Sequence, residues 1–450
     1  MTSITKELAA DTAAQEKWDP EDESFWKEKG QKIASRTLWI TTGALTLSFA
    51  TWFMWSAIVV RLPELGFSLT VGQRFWLAAL PGLIGATLRI PYSFIVQMVG
   101  TRVVVTLATA SLLIPSVGVG LAVQNPATPF WILLLLAAGA GFGGGNFSAF
   151  MSSTSYFYPK AKQGTALGIQ AGIGNLGVSL VQLTTPLIIA IPIFGALGGD
   201  SLNWVRAGKS TAIWMQNAAF IWVLPVLFFT AAAALLLRAI PVKGTFGQQA
   251  VIFKRKHNWI MTSLYFMTFG SFSGFSASFA LLIRETFGKL EGAPDPLRYA
   301  FLGALIGSVA RPIAGWISDK VGGARVTAIS GILLMAAAVG VTFFTKPQSA
   351  SEFMPFLGMM LLIFLAAGIG NGSTFRMIPV IFPPKEAGPV LGWTAAIGAY
   401  GAFLIPMALS ASIEKFGSPN VAFFGFAVFY AANLLLNFWY YQRKGAEIPC

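Results

Sequence analysis

Arg89 and Arg311 are the residues of this chain most clearly placed to do chemistry. Each stands in a long apolar run, Leu83-Ile-Gly-Ala-Thr-Leu-Arg89 and Leu305-Ile-Gly-Ser-Val-Ala-Arg311, and the two are 222 positions apart. The helical rise puts each guanidinium roughly 20 Å from the next basic loop, well inside a bilayer core. An arginine at that depth costs at least about 2.5–3.5 kcal/mol, so it usually marks a binding site or an ion path. A guanidinium stays charged and offers a planar fork of donors, so the chemistry it suits is non-covalent capture of an anion. Two such groups at repeat-equivalent positions predict one anion site at a two-fold interface. The alternative is that each side chain snorkels to a water-filled vestibule.

The other candidate chemistries lack their residues. A single histidine, His257, and a single cysteine, Cys450, exclude histidine clusters, cysteine-rich metal sites and an intrachain disulfide framework. No apolar segment carries a nucleophile–base pair or a set of metal ligands, so no enzyme, cofactor or metal is expected. All 18 acidic residues fall in the polar first segment or in loops. Proton-driven carriers commonly use membrane-embedded Asp, Glu or His. Here the anion must supply the countercharge itself. If the two guanidinium groups approach to about 8 Å as the site closes, they repel by about 2 kcal/mol at an effective dielectric of about 20. An empty carrier then resists closing and a loaded one closes readily, which is the logic of an obligatory exchanger. Proton-coupled symport would need a titratable group not evident in the spans, and a membrane sensor without turnover would bind the anion and move nothing.

The elements that position the arginines are membrane helices. The chain has 450 residues, 55% of them hydrophobic and only 11% charged, and its apolar runs are long enough to span a bilayer. We read an all-α membrane protein with twelve transmembrane helices over residues 37–60, 75–99, 103–123, 129–158, 165–193, 211–237, 259–283, 299–317, 326–344, 353–382, 387–411 and 421–441. This divides the chain into an N-terminal cytoplasmic segment (1–36), a six-helix bundle (37–237), a cytoplasmic linker (238–258), a second six-helix bundle (259–441) and a cytoplasmic tail (442–450). The first segment could form a short amphipathic surface helix or remain a polar tail. With the N-terminus inside, most of the 31 basic residues fall on the cytoplasmic side, including Lys254-Arg-Lys256. The net charge of +13 is therefore topological, and nucleic-acid binding has little support.

The halves also repeat in sequence. Gly168, Ile173, Gly174 and Gly177 align with Gly392, Ile397, Gly398 and Gly401 at an offset of 224, and Gly172 belongs to the same run. Like-oriented six-helix repeats predict a carrier with its site between the halves near the midplane, working by rocking one half on the other. The glycines let helices approach closely, either as sliding contacts or as static packing. Asn175 lies in the first run, where its amide could donate to an oxyanion or make a structural bond between helices. Gly139-Ala-Gly-Phe-Gly-Gly-Gly-Asn146 lacks the ending of a phosphate loop and lies inside a span, which argues against nucleotide binding. Arg376, near the end of its span, is expected to snorkel.

The twelve spans and the loop Gly315-Trp-Ile-Ser-Asp319-Lys320-Val-Gly-Gly323-Ala-Arg325 resemble the major facilitator superfamily. Asp319, Lys320 and Arg325 would then form a cytoplasmic gating loop. The N-half copy of that loop is degraded, with Gln97 where an aspartate is expected. Gly168–Gln182 and residues 392–406 look like the two signature segments of the nitrate/nitrite porter family. Trp18-Asp-Pro-Glu-Asp, Phe25-Trp26 and Arg36-Thr-Leu-Trp39 are similar to its NarK-type branch. The resemblance implies a nitrate/nitrite antiporter of the bacterial cytoplasmic membrane, functional as a monomer, with nitrate, nitrite and the lipid bilayer as partners. It implies that Arg89 and Arg311 clamp the anion, Phe147 and Phe269 wall it, and Asn175 and Tyr265 contact it. Without the resemblance, Phe147 and Phe269 read as packing among 38 phenylalanines, and Tyr265 as an interhelical hydrogen-bonding residue. Ala395 departs from the family, which usually has a serine in that place.

Overall fold

The computed structural model describes residues 18–206, 208–238 and 250–450; residues 1–17 and most of the sequence-assigned linker lie outside them. Its helices, in chain order, begin with α1 (Gln31–Arg61), α2 (Val71–Val99), α3 (Thr101–Ala110) and α4 (Leu113–Ala122). There follow α5 (Phe130–Phe157), α6 (Lys160–Ile188) and α7 (Val223–Leu236). The second half has α8 (Lys256–Tyr265), α9 (Ser271–Phe287), α10 (Ala300–Val321), α11 (Gly323–Val341) and α12 (Phe353–Ile381). It ends with α13 (Pro384–Ala399), α14 (Gly401–Phe416) and α15 (Asn420–Asn437). Taken with their short connecting turns, α3–α4, α8–α9 and α13–α14 each make one unit, so twelve helical units stand where twelve crossings were expected. Eleven of them, all but α2, are long and apolar enough to cross a membrane.

The packing repeats as the sequence does. In the first half α1 packs on α6 and α2 on α5; in the second, α9 packs on α14 and α10 on α12. The halves meet where α6 lies against α10 and where α2 lies against α13 and α14. Polar side chains inside the spans are largely satisfied locally, as they must be without water. Thr41, Ser48, Thr109 and Ser116 each donate to a carbonyl one turn back.

Glycine fixes two corners of this repeat. Gly100 ends α2 at φ 88° and Gly322 ends α10 at φ 94°, again 222 positions apart. Each donates its N–H to the carbonyl four residues back, Val96 or Ser318, in a conformation that side-chain-bearing residues rarely adopt. The N-half copy of the loop, with Gln97 in place of the expected aspartate, therefore has the same backbone corner.

Three expectations need correction. The assigned sixth span began at residue 211, but Leu202–Arg206 and Lys209–Ile213 form an antiparallel ribbon, β1 and β2, and helix starts only at Asn217. The described part of the first segment forms no separate surface helix: Asp22 caps a turn at Glu23–Phe25 that continues through Trp26–Gly30 into α1. Trp18 and Trp26 dock there on Phe157 and Tyr158 at the end of α5. Finally, helices run past the assigned spans, so Glu285 and Glu414 fall in the last turns of α9 and α14, and Asp319 in that of α10.

Candidate functional site

Arg89 sits near the middle of α2, between Pro81 and Pro91. Proline removes a backbone donor and so frees a carbonyl one turn earlier. The carbonyl of Pro81 itself accepts from Trp52 Nε1 at 2.8 Å, which fixes that indole against α2. The glycine run of α5 brings the next wall in. A Cβ on Gly144 would come within 2.8 Å of Gly85 Cα and 2.6 Å of the Trp52 ring, so α1, α2 and α5 meet at backbone distance there. The run is packing, as its lack of a phosphate-loop ending implied. Asn146 is structural too, donating to Ser48 Oγ at 3.0 Å and Ala108 O at 2.9 Å.

In this setting the Arg89 side chain is fully buried. Its Nε donates to Gly144 O at 2.9 Å and its Nη1 to Ala395 O at 2.7 Å, across the boundary between halves. Its Nη2 has no partner among the described residues. Three rings surround the guanidinium: Phe147 at 4.5 Å, Trp52 at 5.2 Å and Phe269 at 5.3 Å from the ring centres. Each desolvated cation–π contact of this kind is worth about 1–2 kcal/mol, which together with the two carbonyls offsets part of the burial cost. Position 395 thus touches the site through its backbone, whatever its side chain.

Arg311, on α10, is also buried, lies 5.1 Å from the Phe375 ring and has an unpartnered Nη1. Neither arginine has a carboxylate within ion-pair distance among the described residues. A chain of rings joins them: Phe269 lies 5.5 Å from Tyr265, and Tyr265 lies 6.5 Å from Phe375. Phe266–Gly270 is a π-helical turn between α8 and α9, the kind of local widening that often marks functional sites, and it carries Phe269. Asn175 is buried on α6 with both amide atoms unpartnered. No hydrogen bond or ring contact links it to the cluster among the described residues.

Trp52 and Phe375 went unnoticed in the sequence. A signal for Phe375 exists: Gly144-Gly-Asn-Phe147 and Gly372-Ser-Thr-Phe375 both place a phenylalanine three residues after a glycine that packs on an arginine. Gly144 O accepts from Arg89, and a Cβ on Gly372 would meet Arg311 O at 2.2 Å. The offset there is 228 rather than 222, more than one helical turn of slip.

The two membrane faces differ. On the face away from the termini, ion pairs cross the boundary between halves. Arg61 binds Asp295 at 2.6 Å, Arg284 binds Glu64 at 2.7 Å and Arg74 binds Glu285 at 2.9 Å, all largely buried. Trp204 of β1 donates to Glu64 and covers Arg61 at 4.4 Å. On the terminal face, the described ion pairs stay within one half. Arg255 pairs with Glu386, Lys256 with Glu447, and Arg376 with Asp319 at 3.4 Å. Arg376 therefore has a carboxylate partner and does not merely snorkel. Beside Asp319, Lys320 lies over Trp316 at 3.6 Å, and Arg325 is exposed.

The signature glycines divide the same way. Gly168 and Gly172 have nothing within 4 Å of an added Cβ, and Gly392 has only Ser93 Oγ at 3.7 Å. Deeper in, Gly174 packs on Leu45, Gly177 on Thr46 O, Gly398 on Tyr265 and Gly401 on the Gly270 backbone. These tight contacts lie within one half each, and of the signature glycines only Gly392 faces the other half, so the seam itself is closed by the ion pairs on the side away from the termini.

Two like bundles with a charged, partner-deficient seam define a membrane carrier of the two-bundle kind. The sequence matches the Major Facilitator Superfamily over residues 7–182 and 261–449. Among relatives, it is 56% identical over 434 residues to the probable nitrate/nitrite antiporter NarK2 of Thermus thermophilus, covering 96% of this chain and 97% of that one. It is 42% identical over 450 residues to the nitrate/nitrite transporter NarU of Escherichia coli (strain K12), covering 95% and 96%. The chain belongs to the nitrate/nitrite porter family of the major facilitator superfamily. In fold it is similar to a bacterial homologue of the human lysosomal transporter Spinster, with a TM-score of 0.66 at 18% identity, covering 90% of this chain and 96% of that one.

Proposed function

We propose that this protein imports nitrate in exchange for nitrite, with Arg89 and Arg311 holding the anion from opposite halves. The observation that carries this reading is a pair of buried guanidinium groups, one from each half, each with a nitrogen lacking a protein partner. A buried charged donor left without an acceptor costs about 1–3 kcal/mol or more, and a planar monoanion would supply acceptors to both. Phe147 and Phe269 face the Arg89 guanidinium and Tyr265 packs on Phe269, flat surfaces that suit a planar anion. The unpartnered amide of Asn175 is a further donor that would have to reach the site as the halves move. The two halves, residues 37–237 and 259–441, rock about this site. The Arg89–Ala395 bond crosses the halves and must break or follow as they part. The signature glycines Gly174, Gly177, Gly398 and Gly401 pack helices closely inside each half, so that each half moves as a unit, and Asp319, Lys320 and Arg325 act on the gating side. The basic residues put the terminal face in the cytoplasm. The ion pairs across the seam make this a state closed on the outer side, in a monomer of the bacterial inner membrane.

The test is ligand-dependent thermal unfolding of the purified protein at constant ionic strength. Nitrate and nitrite should each raise the midpoint with saturating dose dependence. Sulfate, tetrahedral and dianionic, should not. Equal stabilisation by sulfate would contradict a flat monoanion site.

A further inference from the structure

A cavity of about 580 Å³ opens on the seam between halves at the face away from the termini, and none of the anion-site residues lines it. One wall is the end of α6, with Leu183 and Leu187, 41% and 64% exposed on the bilayer side. The opposite wall is the segment from Leu297 to Phe301 in the second half. At the wet end stand Arg61 and Arg298, with the Trp204 and Tyr299 rings beside them. Arg61 is 3% exposed and spends its Nη groups on Asp295 and Glu64, yet its Nε is buried without a partner. Arg298 is exposed and has no carboxylate in ion-pair range among the described residues. The lining therefore has an apolar side and, with Asp295 set against Arg61, one positive charge in excess, carried by Arg298.

We propose that this cleft binds an anionic phospholipid, with its phosphate between Arg298 and Arg61 and its acyl chains along Leu183, Leu187 and Phe301. Charge complementarity selects the occupant. A free anion leaves the apolar wall unused, and a zwitterionic lipid brings an ammonium toward the same two arginines. Tryptophan and tyrosine at the polar end suit the glycerol level of a bilayer. Because both halves build the cleft and the Arg61–Asp295 pair lies in its wall, the site exists only while the halves meet at this face. A lipid held there stabilises that state by its preference for it over the other. This inference does not depend on which anion is transported.

The experiment is thermal unfolding of the full-length protein in detergent with added phosphatidylglycerol, phosphatidylcholine, glycerol phosphate or inorganic phosphate, for the wild type, Arg298→Gln and the cleft-filling Ala190→Trp. Phosphatidylglycerol should raise the wild-type midpoint well above phosphatidylcholine, the soluble phosphates should have no effect, and each variant should lose at least half of that lipid-specific increment. Equal effects of the two lipids, an undiminished increment in both variants, or the same stabilisation by soluble phosphate would each overturn the proposal. Nitrate-dependent stabilisation, measured on the same samples, reports separately on the central anion site.

Discussion

Arg89→Lys is expected to lower nitrate/nitrite exchange by about 100-fold or more while leaving the protein folded. The substitution keeps the charge, so a role that needed only a positive potential would survive it. What it removes is geometry. Arg89 spends Nε on Gly144 O and Nη1 on Ala395 O, which leaves Nη2 for a ligand. A single ammonium cannot hold two carbonyls from two different halves and still present a planar donor, nor lie flat over Phe147. Losing one partner of a buried, hydrogen-bonded charge contact typically costs about 2–5 kcal/mol, which corresponds to roughly 30-fold to several thousand-fold. Arg376→Lys is the control, because that residue is half exposed and pairs with Asp319 within its own half. Exchange rates of the two variants in liposomes, normalised to folded protein, decide the matter. Near-normal exchange by Arg89→Lys would mean that the guanidinium fork is not what the site uses.

The second large effect is on stability. Gly177→Ala should destabilise the protein by about 2–3 kcal/mol, at the upper end of what one added core methyl costs. The new Cβ would stand 2.1 Å from Thr46 O and 3.0 Å from Phe49 Cβ, and the first of these is backbone in the middle of α1. Relief requires α1 and α6 to separate, which disturbs the wall that carries Phe49 and, through it, Phe147. Gly168→Ala, nine residues earlier on the same helix, meets nothing within 4 Å and should leave the unfolding midpoint nearly unchanged. Thermal unfolding of the two variants side by side checks the contrast. Equal midpoints would mean that the contact between α1 and α6 is not tight in solution.

That contrast also shows where sequence reasoning stopped. The glycine signatures were legible as a repeat, but which of them meet a neighbouring helix depends on how the helices of each half cross. The closure of the seam comes from pairs such as Arg61 with Asp295, 234 positions apart, which no local pattern connects. The arginines were legible because a charge in an apolar run is costly and stands out against its neighbours. Trp52 and Phe375 were not, because they are two aromatic residues in a chain with 14 tryptophans and 38 phenylalanines. The slip of repeat offset on α12 also hides Phe375 from a fixed-offset comparison. Hydropathy located twelve crossings because bilayer thickness sets their length. It was blind to the breaks at Ser111 and Tyr400 and to the π-turn at Phe266–Gly270, since these alter backbone hydrogen bonding without altering apolarity. The same blindness extended the sixth span into β2, whose short Thr211-Ala-Ile213 end merges with the apolar run that follows. The shape of the seam was the part that needed coordinates.

Two unpaired arginines in a site with no mid-span carboxylate make the anion itself the countercharge for closing, and this is the central claim. Its most direct test is uptake of labelled nitrate into proteoliposomes either loaded with nitrite or left empty, each with and without an acidic exterior. The account predicts rapid uptake only into nitrite-loaded vesicles, with a rate that ignores the pH gradient. Uptake into empty vesicles driven by external acid would contradict it, because a proton would then be doing what the arginine pair assigns to the exchanged anion.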